Sequence, residues 1–265
     1  KQKPAYEMLR SLVGSEMCIR DRSKGFATNK GKTFSEIVEN EFPNILLSIL
    51  TGPTFADEIA NKKPATAVVA NKDINQAKSI CKLFHNSNLR LYPSNDPHGA
   101  SIAGAIKNII AIATGVAMGK KLGDGAVASL VSRGINEIIT FGVALGANKD
   151  TFLGLSGLGD LVLTATNMKS RNTKLGFQIG SSNQFENKVE NLTEGIYTTK
   201  AVYNMAKELN LSLPIIEGVY NIIYNVNKDE TSNIANELCI SAFLLITLSL
   251  IIFVPQAYDK IIKEG

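Results

Sequence analysis

Between Gly99 and Gly119 the chain reads GASIAGAIKNIIAIATGVAMG, a run in which Lys107 is the only formal charge. Small and aliphatic residues lie on every side of that lysine. The run is therefore predicted to be a helix buried around most of its circumference, since a surface helix would show one polar face. An ammonium in such a place is costly unless it is paired, hydrogen-bonded or neutralised. Lys107, with Asn108 beside it, is a candidate general base at neutral pH. The competing reading is a lysine that snorkels its amine to solvent from an ordinary core helix.

Composition narrows the chemistry that can accompany it. At 265 residues, 45% hydrophobic and 20% charged, the chain can build one large or two smaller folded domains and does not read as disordered. Its net charge of +4 is spread among interspersed signs, without a basic run or tryptophan, so nucleic acid is not an expected partner. Cys18, Cys81 and Cys239 are far apart and odd in number, which fits a reducing compartment. His85 and His98 are isolated, no Cys/His pair has metal-ligand spacing, and no metal is expected. Chemistry must then rest on lysine, aspartate and a cofactor.

Along the chain two patterns succeed one another. Residues 1–22 show neither strand alternation nor a signal-peptide layout and look unrelated to the rest of the chain. ILLSILTG reads as a buried strand ending at Thr51-Gly52-Pro53-Thr54, followed by a short helix in FADEIAN. TAVVAN (66–71) and LRLYPS (89–94) are further strands, with a helix in DINQAKSICKLFHN between them. Strands alternating with helices predict a parallel sheet. After Asp96-Pro97 strand signals stop and helical periodicity runs almost to residue 225. A long helix spans 124–147, with Arg133 and Glu137 on one face, and another opens near Pro214. The domain boundary falls near residue 96. The apolar stretch 238–254 carries no charge over 17 residues, just under the roughly 20 that span a bilayer. It reads either as a membrane contact or as a docked terminal helix.

Four clusters could carry a reaction. Gly52-Pro53-Thr54-Phe55-Ala56 lies where a strand ends and a helix starts, the edge at which open α/β sheets bind ligands. Lys107-Asn108 is the second. In the third, Gly157-Leu158-Gly159-Asp160-Leu161-Val162-Leu163-Thr164, Asp160 and Thr164 are one helical turn apart. Lys107 is a natural cationic partner for Asp160, which reads alternatively as a helix cap. The fourth, Ser170-Arg171-Asn172, precedes NTKLGFQIG, where serine can cap the helix and arginine can grip phosphate in a two-pronged hydrogen bond.

These segments carry a resemblance. LTGPTFADEIANKKPATAVVA, GAIKNIIAIATGVAMG, SRGINEII, TFLGLSGLGDLVLTAT and KSRNTKLG, in this order over about residues 23–225, closely resemble the bacterial-type NAD(P)-dependent glycerol-3-phosphate dehydrogenases. The resemblance implies an α/β plus all-α fold: a partial Rossmann-like parallel sheet over 23–95, then a helical substrate and dimerisation domain over 96–236. Residues 1–22 and the tail 237–265 lie outside it. It implies a cytoplasmic oxidoreductase that interconverts dihydroxyacetone phosphate and glycerol 3-phosphate with NAD or NADP, for glycerophospholipid synthesis. Its partners would be that small phosphorylated substrate and a second copy in a homodimer.

Residue by residue, the resemblance makes Lys107 the proton acceptor in the oxidation direction. Lys24, Gly52, Thr54, Asn108, Asp160, Thr164, Ser170, Arg171 and Asn172 match positions that bind substrate. Lys24, Ala56, Arg171, Leu192 and Glu194 match cofactor contacts. The chain also departs from the pattern, since the glycine-rich G-x-G-x-x-G turn after a first strand is not found. Weak or no cofactor binding is therefore expected of this chain, as of an N-terminally incomplete copy. Two further readings compete: a non-catalytic helical module for oligomerisation or binding, and a remnant tethered to a membrane through 238–254.

Overall fold

The computed structural model describes residues 32–41, 47–85, 87–182 and 194–225. Their first part is a small sheet with short helices. Helix α1 (Phe34–Glu41) starts at Thr33, whose hydroxyl accepts the Glu36 N–H at 3.3 Å while Glu36 Oε2 accepts the Thr33 N–H at 2.6 Å. This reciprocal pair is a capping box. Then come β1 (Ile49–Thr51), α2 (Ala56–Ala60), β2 (Ala65–Ala70), α3 (Ile74–Leu83) and β3 (Leu89–Ser94). Asp73 caps α3 by accepting the Asn75 N–H at 2.9 Å.

β2 and β3 run parallel, from Ala65 opposite Leu89 to Ala70 opposite Ser94, as the alternation of strand and helix predicts. The strand expected to end at Thr51 differs. Among the described residues it is a strand over three residues, Leu50 is half exposed, and it runs antiparallel to β2 with Ile49 opposite Ala70. β2 begins close to where β1 ends, with Thr51 opposite Val68 and Gly52 against Ala67, so the connection 52–64 folds back on itself and does not cross the sheet to begin a parallel neighbour.

The remaining described elements are helical: α4 (Pro97–Gly119), α5 (Asp124–Ala144), α6 (Lys149–Leu153), a π-helical turn (Leu155–Gly159), α7 (Asp160–Ala165), α8 (Arg171–Ser182), α9 (Glu194–Glu208), α10 (Pro214–Tyr220) and a second π turn (Asn221–Asn225). α4 is the axis of the main core. Ile102, Ile106, Ile109, Ile110 and Ile112 are fully buried there against Leu130, Ile138, Phe152, Leu161 and Ile216, among others. Each such side chain contributes about 1.5–3 kcal/mol of burial. α4 and α5 are both long and apolar enough to cross a membrane by length and composition, but 89% of α4's apolar window is buried inside the protein. Asp96 starts α4 by accepting the Gly99 N–H at 2.8 Å, and also takes the Thr151 hydroxyl at 2.7 Å, which pins α6 to the same corner.

One contact decides how α8 lies on α4. Glycines recur at Gly115 and Gly119 on α4 and at Gly176 and Gly180 on α8. A methyl group at any of them would overlap the facing backbone: Gly176 abuts the Ile112 carbonyl, and Gly180 that of Val116. The two helices therefore touch main chain to main chain, and the start of α8 is held close to the middle of α4. The sheet joins this helical part through Val68, Ala70 and Ala100, with Ile49 and Leu155 packed against them, while its other face packs on α3.

Candidate active site

Lys107 does not snorkel. Its ammonium forms an ion pair with Asp160 Oδ2, and the two side chains are only 7% and 3% exposed. Asp160 Oδ2 takes no hydrogen bond besides that contact among the described residues. The local chain explains how Asp160 arrives there. Gly157 passes so close to the Phe152 backbone that a side chain would overlap it, and the π turn Leu155–Gly159 adds a residue before α7 begins at Asp160. Such wide turns re-aim the residue at their end. Asp160 opens α7 without acting as its cap, so the ion-pair reading replaces the capping one.

Thr164, one turn on, donates its hydroxyl to Asp160 Oδ1 at 3.4 Å. Its own carbonyl accepts the Thr173 hydroxyl from α8 at 2.7 Å, and Thr114 of α4 donates to the Ala165 carbonyl at 2.7 Å. These bonds tie α4, α7 and α8 around the buried pair.

A second set of contacts brings in α9. Asn108 Nδ2 donates to Glu194 Oε2 at 3.3 Å, and Asn172 Oδ1 accepts the Gly195 N–H at 3.1 Å. Gly195 leaves the room required, since a Cβ there would lie 2.5 Å from Asn172 Oδ1 and 3.2 Å from the Asn108 carbonyl. Ser170 Oγ accepts the Thr173 N–H at 3.3 Å, which makes it the cap of α8, as its position predicts. Arg171, the first residue of α8, is exposed. Lys107, Asn108, Asp160, Thr164, Ser170, Asn172 and Glu194 are thus linked through a few direct contacts across four helices.

The strand-end cluster comes against this group from the sheet. Gly52 has φ +149°, and a Cβ there would sit 2.8 Å from Ala67 Cα, so only glycine fits the turn. Pro53 packs on the π turn: a Cβ on Gly159 would lie 3.5 Å from Pro53 Cγ. Thr51 Oγ1 is buried beside Gly104, one turn before Lys107, and has no hydrogen-bond partner among the described residues. Thr54 comes next along the chain, and Ala56 is exposed at the start of α2. Lys24, Leu192, residues 1–22 and the apolar stretch 238–254 lie outside the described residues.

Two features are not visible in the sequence. Helical spacing pairs Glu137 with Arg133 on one face, yet the two carboxylate oxygens of Glu137 accept the N–H groups of Ile215 (2.8 Å) and Ile216 (3.1 Å), capping α10 from α5. Burial pushes its carboxyl up to about 7, against the lowering effect of those bonds and of Arg133. Lys169, beside the Ser170-Arg171-Asn172 cluster, reaches across to α2, where Asp57 accepts at 2.8 Å and Glu58 at 3.4 Å.

Most of the chain matches known proteins. The C-terminal family model of NAD-dependent glycerol-3-phosphate dehydrogenase matches residues 96–232, and the N-terminal model of the same family matches residues 5–77. A glycerol-3-phosphate dehydrogenase [NAD(P)+] of Francisella tularensis is 42% identical over 219 residues, covering 82% of this chain and 66% of the relative. Among solved structures, glycerol-3-phosphate dehydrogenase from Coxiella burnetii superposes with a TM-score of 0.74 at 30% identity, over 81% of this chain and 66% of the other. The Saccharomyces cerevisiae enzyme gives 0.67 at 25% identity, over 77% and 63%. The chain thus spans just under two thirds of the length of these relatives.

Proposed function

The chain belongs to the NAD-dependent glycerol-3-phosphate dehydrogenase family, and on that premise we propose that its Lys107 site interconverts dihydroxyacetone phosphate and glycerol 3-phosphate. The observation that carries this reading is the closed Lys107–Asp160 pair, set beside an asparagine and a capped helix start bearing arginine. A metal-free ketone reduction needs a proton donor at the carbonyl oxygen and a grip on the rest of the substrate. The pair and the α8 start can supply both.

NAD or NADP, when bound, supplies a hydride to the carbonyl carbon or accepts it back. The residues present fit the reactive end of such a cofactor. Ala56 is exposed at the start of α2, and the Glu194 carboxylate stands at the start of α9, in contact with Asn108, the neighbour of Lys107. With Arg171 they would hold it, and Lys24 and Leu192 are proposed to join them. The chain's own groups do the rest. In reduction the Lys107 ammonium gives its proton to the carbonyl oxygen, and the amine left behind stays hydrogen-bonded to Asp160. In oxidation the neutral amine takes the hydroxyl proton. Thr164 holds the second oxygen of Asp160, so the carboxylate stays aimed at Nζ.

Arg171, Ser170, Asn172 and the N–H groups opening α8 would grip the phosphate, since a helix start and a guanidinium both favour an anion with several acceptors. Gly52, Thr54 and Asn108 would line the carbonyl end. Holding both ends turns an encounter into a near-attack arrangement. The proposal extends to the division of labour between residues 23–95 and 96–236, to a homodimer and to a cytoplasmic location. The test is an absorbance assay with dihydroxyacetone phosphate and NADH or NADPH, beside Lys107→Ala. Turnover in the parent chain that vanishes in the variant, with substrate affinity largely kept, supports the assignment. Equal turnover in both refutes it.

A further inference from the structure

The contact between Lys169 and α2 joins the two segments assigned to opposite ends of the substrate. On one side, Lys169 belongs to the same tight turn as Ser170. Its N–H donates to Asn167 Oδ1 at 2.8 Å, and the Ser170 N–H donates to the Asn167 carbonyl at 3.0 Å. Arg171 and Asn172 come directly after. On the other side, its ammonium meets Asp57 and Glu58 and lies 5.3 Å from the centre of the Phe55 ring. Those three residues continue the Gly52-Pro53-Thr54 turn.

We propose that Lys169 is a positioning residue, a salt-sensitive latch that draws the Ser170–Asn172 turn and the Gly52–Glu58 turn together so that a gripped phosphate presents its carbonyl to Lys107. The proposal rests on the substrate assignment under Proposed function. Three contacts from one side chain give the latch direction, because all lie on the first turn of α2 and its approach. The hydrogen bond from Lys169, together with its charge, holds the Asp57 carboxyl below the usual carboxylate range, and Asp57 raises the Lys169 ammonium in turn. The pair is nonetheless open, with side chains 47% and 57% exposed. Exposed ion pairs add little to stability and weaken with salt. A weak tie of this kind suits a contact that must open to admit substrate and release product.

The test is a charge swap in the full chain. Lys169→Glu is expected to raise KM for glycerol 3-phosphate roughly fivefold while kcat stays within about twofold, because the two turns are drawn together less often but, once together, hold the substrate as before. This is the split that marks binding lost equally from substrate and transition state. Adding Asp57→Lys to that variant restores KM. In the parent, KCl at about 0.5 M raises KM by a larger factor than in Lys169→Met, where only the phosphate grip itself is screened. An unchanged KM in Lys169→Glu, or no recovery in the swap, overturns the latch. Amide hydrogen exchange without ligand separates this question from the activity itself. Residues 53–58 and 168–172 should both exchange faster in Lys169→Glu and slow again in the swap. A change confined to one segment overturns the latch. If the parent chain turns over no glycerol 3-phosphate, the proposed function fails and the exchange result alone decides the latch.

Discussion

Lys107 and Lys169 each hold an aspartate, but the first pair is nearly closed to water and the second stands open on the surface. The same chemistry therefore has different consequences. Around Lys107 the low-dielectric core makes each charge depend on the other, since burying an unpaired charge costs several kcal/mol even after relaxation. Around Lys169 water screens the attraction, and either charge can leave without distress to the fold. The buried pair is suited to hold a proton at a defined atom. The open pair is suited to bring two segments together reversibly. A third carboxylate, Glu137, shows an intermediate solution: it is buried, and two backbone N–H groups of α10 and the charge of Arg133 offset only part of the cost of that burial.

The contrast can be broken at its strongest point first. Lys107→Met is expected to lower turnover by roughly 100-fold to 10,000-fold, the usual range for a lost acid/base group. It should also destabilise the fold by about 3–5 kcal/mol, because Asp160 is left buried and uncompensated. Adding Asp160→Leu should return most of that stability and none of the turnover. Denaturant midpoints and the absorbance assay read the two separately, and a double variant as unstable as the single one would sink the idea of a matched pair.

Next in size is the crossing that places the proposed phosphate grip. Gly176→Ala drives a methyl into the Ile112 carbonyl region and should cost about 1–3 kcal/mol as overpacking. Affinity for glycerol 3-phosphate, measured by calorimetry, should fall with it. Retained stability and affinity would show that α8 can move off α4 at no cost.

Glu137 sharpens the middle case through pH. Its folded pKa of about 7 lies above the ordinary carboxylate value of 4.5, so between these values the folded chain binds the extra proton. Stability is highest below about pH 4.5 on this account, falls as pH rises towards 7, and loses on the order of 3 kcal/mol in all. Glu137→Gln should flatten that part of the pH dependence of the unfolding midpoint, and an unaltered slope would remove Glu137 from the explanation. The smallest effect is expected at the surface. Lys169→Met should leave the unfolding midpoint essentially where it was and show itself only in the KM and its salt dependence.

Much of this is legible in the chain. The uncharged run around Lys107 announces a central helix. The need of a carboxylate at Asp160 for a cationic partner points to the right lysine, and Ser170 before a helix points to a cap. β2, α3 and β3 are equally plain, because their apolar spacing and the Asp73 cap are local signals. The rest is not local. The direction of β1 depends on where the chain between it and β2 folds back, the entry of Asp160 depends on a π turn, and nothing along α5 says that Glu137 will meet Ile215 and Ile216 about eighty positions later.

The order of residues alone determined which groups could carry chemistry and which helix would be buried, since periodicity, composition and capping act over a few neighbours. Tertiary structure decided which of those groups meet. Bare glycine surfaces let α8 lie against α4, and a lysine given no role of its own by the sequence found its carboxylates more than a hundred residues away. Such encounters depend on the distances between elements, which no local pattern encodes.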